Sequence, residues 1–370
     1  MKITYFFLYG RKERLKTNPD CPKEMFYSYD YFNKNYPDTE ITQFIDNRKT
    51  ISGKFLKLVD RVLNKLTKLP FFMNNALTMK NLKLIFKTDY LIMAQDRIAL
   101  SILPILVMAK IFNRNLNSTF FVMGLYNNKP KLGIFYRIRN TLLKILYLVV
   151  DNIIFLGDGE YSHAIRNYPY LKNKAYFLPF MVDFDFWKSE NSSKNKDGIL
   201  FVGNDANRDF ETLIKITKKF ENINFTFVTK KYKFNKPDIK NTKIIDGSWG
   251  NQIISDKELK ELYNNSKLTI IPLLNSYQPS GQSVALQSMC VGTPVAITMT
   301  DGFWDQENFN NEEEIIFVES NDLEKWTNLI NKYYFDDNKL DEISSKASSL
   351  IAKEYKSEIF NKKMSEILGI

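Results

Sequence analysis

What most constrains this chain is a twofold alternation of short β-rich runs with longer helical patterns, broken once by a polar stretch. In the first half, the patterning predicts strands at 2–8, 40–45, 88–94, 118–124 and 152–156. Helices are expected between them at 23–36, 53–69, 97–112, 131–149 and 159–168. Residues 188–197 are polar apart from their aliphatic stems and read as a linker. The alternation then restarts, with strands expected at 198–203, 223–228, 243–246, 267–271, 293–297 and 315–318. The matching helices are expected at 209–220, 256–265, 281–290, 323–334 and 340–354. Strands that alternate with helices form parallel sheets covered by helices. The expected fold is therefore α/β, with two doubly wound Rossmann-like domains facing a central cleft. In such folds ligands bind beyond the carboxyl ends of the strands.

Composition narrows the chemistry. The chain has 370 residues, one histidine (His163) and two cysteines (Cys21 and Cys290). So few histidines and cysteines argue against a disulfide scaffold, a zinc hydrolase, a haem protein and a Ser-His-Asp hydrolase. No run reaches the ~18 uninterrupted apolar residues of a spanning helix. The apolar start, Met1 to Leu8, has no small-residue cleavage site and reads as a first strand, which makes the cytoplasm the expected location.

The net charge of +10 is unevenly placed. Residues 1–190 hold 29 Lys and Arg against 16 Asp and Glu, a net +13; the remaining 23 against 26 give −3. Residues 53–144 alone hold 16 basic and 3 acidic residues. An acidic partner is therefore sought for the first half, whether a membrane surface, a nucleic acid or a phosphorylated ligand.

The most informative stretch runs from Pro272 to Ala296. A strand ends at Pro272, a polar loop follows, and a helix opens near Gly281. The amides and positive end of such a helix make a ready anion site, with Ser280, Gly281, Gln282 and Ser283 as donors. Gly292 suits the helix C-cap, and Pro294 follows it.

This stretch resembles the nucleotide-sugar site of GT-B glycosyltransferases, in particular the retaining family-four type. That family carries Glu-Pro-Phe-Gly, then a helix with a second Glu just before Ala-Met-Ala-x-Gly-x-Pro-Val. Residues Ser288-Met289-Cys290-Val291-Gly292-Thr293-Pro294-Val295 match its latter part. Three further stretches are similar to family motifs in the same order. Residues 176–187 resemble Pro-x-Gly-Val-Asp-x-x-x-Phe, which closes the first domain. Residues 200–203, with Asn207-Arg208-Asp209-Phe210, resemble the strand and loop that open the donor domain. Residues 301–305 resemble a further loop in some members. The two family glutamates are absent: Gln287 stands at the second, and no residue in the Gln278–Ser280 region inherits the first cleanly. The His that often follows a central strand of the first domain is also missing from 121–124.

The resemblance implies a metal-independent hexosyltransferase with no cofactor beyond its nucleotide-sugar donor, a UDP-hexose. The implied domains are an acceptor-binding, membrane-facing domain at 1–187, a linker at 188–197, a donor domain at 198–350 and a C-terminal helix at 351–370. Arg208 is expected to be the charged phosphate contact, with Lys230 second, and both join Gly203, Ser280, Gly281, Gln282, Ser283 and Gln287 as donor-binding residues. Asn251–Ile254 lies where a nucleobase is usually held. Stabilising the departing pyrophosphate is the main electrostatic task, so Arg208 and Gln282 are the catalytic candidates, with Asp96.

In the first half, Gly10 and Asp96 fall at carboxyl ends of expected strands, and Glu24 opens an expected helix. All three are candidate acceptor contacts. The run Gly157-Asp158-Gly159-Glu160-Tyr161-Ser162 mimics a dinucleotide-binding glycine motif, but lies where the family has a plain strand-to-helix turn. Helix 53–69 sets Phe55, Val59, Val62, Leu66 and Leu69 on one face and Lys54, Lys57, Arg61, Lys65 and Lys68 on the other. Helix 131–149 repeats the pattern, with Arg137, Arg139 and Lys144 on its polar face. Such basic amphipathic faces suit an anionic membrane. The expected acceptor is a membrane lipid or lipid-linked glycan, reached from the inner membrane face, and not nucleic acid. The competing reading is a basic binder of membrane or nucleic acid on a catalytically inactive GT-B scaffold.

Overall fold

The computed structural model describes residues 1–45, 50–112, 115–189, 196–231, 239–248 and 253–370. The chain forms two units. The first comprises residues 1–156, 160–178 and 361–370; the second comprises 157–159 and 179–360.

The first unit holds a six-stranded sheet of β1 (Ile3–Phe7), β2 (Glu40–Gln43), β3 (Tyr90–Met93), β4 (Asn117–Val122), β5 (Asn152–Phe155) and β6 (Ala175–Phe177). Its order is β2-β1-β3-β4-β5-β6, and every pairing is parallel. The second unit holds β7 (Ile199–Val202), β8 (Phe225–Val228), β9 (Thr242–Ile245), β10 (Leu268–Ile271), β11 (Val295–Thr298) and β12 (Ile316–Val318). Its order is β12-β11-β10-β7-β8-β9, again parallel throughout. Strands β1, β5, β10 and β11 are buried along their whole length, which is why they are apolar but for one Thr or Asn each. The second unit packs Ile199, Phe201, Phe227, Ile216, Trp326 and Ile330 into its core.

Two expected helices are broken. In place of one helix over 23–36 there is a short 3-10 turn, Glu24–Phe26, and then a helix, Tyr29–Asn35. Tyr27 and Ser28 between them are both left-handed, with φ of 51° and 68°. Neither residue type favours that conformation, so nothing in the sequence marked the break. The helix expected over 97–112 divides into Asp96–Ser101 and Leu103–Phe112. Pro104 stands at the second position of the new helix, where its missing amide costs no intrahelical bond. Short helices at Arg11–Thr17, Met73–Ala76, Met79–Ile85 and Phe184–Trp187 were not expected. Thr78 and Asp183 cap two of them by accepting from the amides of Asn81 and Phe186.

The two basic helices differ from their expected faces. Helix Ile51–Thr67 is capped by Thr50, whose hydroxyl accepts from the Gly53 amide at 3.0 Å. Its packed face carries Leu56, Asp60, Leu63 and Thr67, spaced as one helical stripe. Asp60 points inward because its carboxylate accepts from the Met73 and Asn74 amides at 2.8 and 3.1 Å. Phe55, Leu58 and Val62 are instead 65%, 54% and 47% exposed. They lie among the exposed Lys54, Lys57, Arg61, Lys65 and Lys68. In helix Gly133–Val149, Arg139 is not solvated but buried, and donates to the carbonyls of Thr67 and Leu125. No described helix is long and apolar enough to cross a membrane.

Candidate functional site

In the second unit the strand order reverses between β7 and β10, which are neighbours with their following connections running to opposite sides. Loops diverging from such a switch point leave a crevice at the strands' carboxyl ends. The loop after β7 (203–209) and the loop after β10 (272–281) meet there as a short two-stranded ribbon. Arg208 and Leu273 form an antiparallel bridge. The Asp209 amide donates to the Pro272 carbonyl at 3.0 Å, and the Leu274 amide to the Asn207 carbonyl at 2.8 Å.

Arg208 is 5% exposed. Its Nε lies 3.1 Å from Asp205 Oδ2, close enough for an ion pair but without hydrogen-bond alignment. Its Nη1 is buried and has no hydrogen-bond partner among the described residues. Burial pulls its pKa below the ordinary arginine value, and Asp205 opposes the shift. Two glycines make room for it. A Cβ on Gly203 would stand 2.2 Å from Arg208 Nε, and one on Gly281 would stand 2.9 Å from Nη1. A buried cation with an unused donor is costly unless an anion completes it.

Gly281 begins the helix Gln282–Val291 with φ of 84°, a conformation that favours glycine. The first intrahelical bond runs from the Ala285 amide to the Gly281 carbonyl. Residues 282–284 therefore form the first turn, ahead of the helical ladder. Gln282 is buried and Ser283 half-buried on that first turn. The hydroxyl of Ser280 accepts from Asn207 Nδ2 at 2.8 Å, which ties the two loops together a second time. Gln287 is buried one turn deeper, and its Oε1 accepts from the Tyr263 hydroxyl at 3.3 Å. The arrangement brings Gly203, Arg208, Ser280, Gly281, Gln282 and Ser283 to one corner: a buried cation beside the positive end of a helix, suited to a phosphate-like anion.

Lys230 is exposed at the carboxyl end of β8, and its amide donates to Asn204 Oδ1 at 2.7 Å. Asn204 also donates to the Gly247 carbonyl at 2.7 Å, so it links the ends of β7, β8 and β9. Of the expected nucleobase segment, Asn251 and Gln252 lie outside the described residues.

A second loop buttresses the first. Asn275 Nδ2 donates to Asp301 Oδ2 at 2.9 Å, and the Asp301 amide returns a bond to Asn275 Oδ1 at 2.9 Å. Gly302 lies so close to Tyr277 that a Cβ would stand 2.4 Å from its carbonyl carbon. The glycines of the dinucleotide-like motif serve the same packing. A Cβ on Gly157 would meet Pro279 at 2.9 Å, and one on Gly159 would meet the Asp301 carbonyl oxygen at 1.8 Å. That close approach accounts for both glycines without a cofactor.

In the first unit the strand order reverses between β1 and β3. Gly10 and Asp96 follow those two strands. Gly10 is left-handed at φ of 84°, and a Cβ there would meet open space, so the turn alone requires the glycine. Glu24 is buried in the 3-10 turn near Arg11, whose pKa burial lowers to about 10, with Glu24 among the groups that oppose the shift. Asp96 is buried, with its Oδ1 accepting from the Arg97 amide at 2.9 Å. Sequence reading missed its neighbour Glu160, whose Oε2 accepts from the Gly124 amide at 2.9 Å. Burial pushes Asp96 up to about 6 and Glu160 up to about 8, and Asp96 adds to the shift of Glu160.

No family model matches the sequence, and no curated protein matches it. Solved structures do. HepE of Anabaena in complex with UDP is 13% identical, with a TM-score of 0.68 and 100% of both chains covered. Sucrose-phosphate synthase of Thermosynechococcus elongatus is 11% identical, with a TM-score of 0.68 over 99% of this chain and 98% of that one. An alpha-glucosyltransferase in complex with UDP-glucose and DNA containing an abasic site is 14% identical, with a TM-score of 0.61 and 100% of both chains covered. At such identities the likeness establishes the fold: this chain has the GT-B fold.

Proposed function

We propose that this protein is a glycosyltransferase that moves a hexose from a UDP-linked donor to a hydroxyl on a membrane lipid or lipid-linked glycan. The observation that carries the donor reading is the buried Arg208 guanidinium, held between Gly203 and Gly281 at the start of helix Gln282–Val291, with Nη1 unpartnered among the described residues. Neighbours of the same fold were solved with UDP or UDP-glucose, which favours a uridine nucleotide over others.

In the proposed reaction the bond between the anomeric carbon and the donor phosphate oxygen breaks. A bond from the acceptor oxygen forms on the same face, and the acceptor proton passes to the departing phosphate. Arg208, the positive end of helix Gln282–Val291 and the hydroxyl of Ser283 stabilise the charge that builds on UDP. Gln282 orients the phosphates, Gln287 serves the ribose as a neutral hydrogen-bonding group, and Lys230 contributes from the end of β8. The fixed positive charge of these groups supports metal-independent transfer.

For the acceptor we assign the first unit, with Gly10, Glu24 and Asp96 as contacts. Its outer helix face places Phe55, Leu58 and Val62 among five basic residues, which suits anionic lipid. The neighbour solved with DNA raises a nucleic-acid acceptor as the second reading. Exposed apolar side chains among the lysines favour the membrane, since a phosphate backbone has no apolar surface to bury. Incubation with labelled UDP-hexoses and either lipid extract or DNA decides the matter. Label in the lipid phase supports the proposal; label on DNA, or on no acceptor at all, refutes it.

A further inference from the structure

Asn321 follows β12 and carries no motif, yet its side-chain amide meets both rails of the ribbon that holds Arg208. Its Nδ2 donates to Asp209 Oδ2 at 2.8 Å and to the Leu273 carbonyl at 2.6 Å. Its Oδ1 accepts from the Thr298 hydroxyl at 2.5 Å and from Trp326 Nε1 at 3.4 Å. Two donors and two acceptor positions are thereby all engaged. Asp209 directly follows Arg208, and Leu273 is the bridge partner of Arg208. The Thr298 hydroxyl in turn accepts from the Leu273 amide at 3.1 Å, so both polar groups of Leu273 are fixed from behind.

We infer that Asn321 is a positioning residue for Arg208. It locks the ribbon so that the guanidinium stays aimed at the start of helix Gln282–Val291. The role rests on the donor reading proposed above. A fully satisfied side-chain network holds one geometry, and losing one member of this half-buried one frees several groups at once. Displacing a binding group by about 1 Å is enough to cost one to two orders of magnitude in function.

The test is UDP titration by calorimetry. Asn321→Ala raises the Kd for UDP about tenfold. Asn321→Asp, which sets a carboxylate against Asp209 and the Leu273 carbonyl, raises it at least as much. Because the amide acts through the guanidinium, Arg208→Ala and the Arg208→Ala/Asn321→Ala double variant bind UDP equally weakly. A merely structural role would lower the melting temperature and spare UDP affinity, as expected of the core substitution Ile343→Val. If Asn321→Ala does not fold, Thr298→Val loosens the same amide and shifts Kd in the same direction. A Kd within twofold of native for the Asn321 and Thr298 variants, or effects additive with Arg208→Ala, overturns this inference alone. Failure of the native chain to bind UDP overturns the donor reading and this inference with it.

Discussion

Arg208 and Gly281 compete for one small volume: a Cβ on Gly281 would stand 2.9 Å from Arg208 Nη1. Gly203 confines the same side chain from the other loop, at 2.2 Å from Nε. Gly203→Ala must therefore push the guanidinium out of line, while the surrounding sheet keeps its fold. The expected result is a loss of UDP affinity of at least about tenfold, read by calorimetry. Gly281→Ala should cost more, because it adds a strained left-handed conformation of about 1–2 kcal/mol.

Burying a cation for a ligand costs stability in the ligand's absence. Arg208→Met keeps the bulk and removes the charge, and Asp205 is left partly solvated. The ligand-free melting temperature should stay level or rise by a few degrees, while the rise produced by UDP disappears. Differential scanning fluorimetry with and without UDP reads both. A large fall in the ligand-free melting temperature would show that Arg208 is structural.

Asp96 and Glu160 give the first unit a pH dependence. Their ordinary values of 3.8 and 4.5 are raised to about 6 and about 8, chiefly by burial. The folded chain therefore holds protons that the unfolded chain has already released. This contribution is fully present below about pH 4 and is lost as pH rises through about 6 to 8. Glu160→Gln keeps an acceptor for the Gly124 amide and removes the titration. The unfolding free energy from urea titrations should fall from pH 5 to pH 8.5 in the native chain, by about a few kcal/mol at most, and fall less in the variant. Equal slopes would contradict the assignment.

Lipid binding should depend on helix Ile51–Thr67. Each lysine near an anionic surface is worth about 1 kcal/mol, so Lys54→Ala, Lys57→Ala and Lys65→Ala together should weaken vesicle partitioning about a hundredfold. Phe55→Ser should weaken it further, with less sensitivity to salt. Flotation with phosphatidylserine vesicles measures this. Native protein that stays at the bottom at low salt contradicts the membrane assignment.

The doubly wound architecture was legible because parallel strands such as β10 and β11 are buried on both faces and leave mostly apolar, β-branched runs. The donor corner was legible where glycine carried the signal, as at Gly281 and Gly292. What stayed hidden depended on contacts across long stretches of sequence. Asn321 is 48 residues from Leu273 and 112 from Asp209, and an asparagine before a helix reads as an ordinary turn residue. Glu160 looked like one member of a glycine motif, and only the fold brings it to the Gly124 amide. The basic face of helix Ile51–Thr67 is exposed as expected, but its apolar face was misjudged at Phe55 and Val62, which are exposed while Asp60, a charged residue, takes the packed side to bind two backbone amides.

The most direct measurement is calorimetric titration of UDP into the native chain and into Arg208→Ala at matched, moderate salt. Saturable binding at one site by the native chain, weakened by at least about tenfold in a variant that still unfolds cooperatively, is the expected result. No binding of UDP to the native chain, or equal binding to both, would contradict the assignment of Arg208 and the helix Gln282–Val291 as the donor phosphate site.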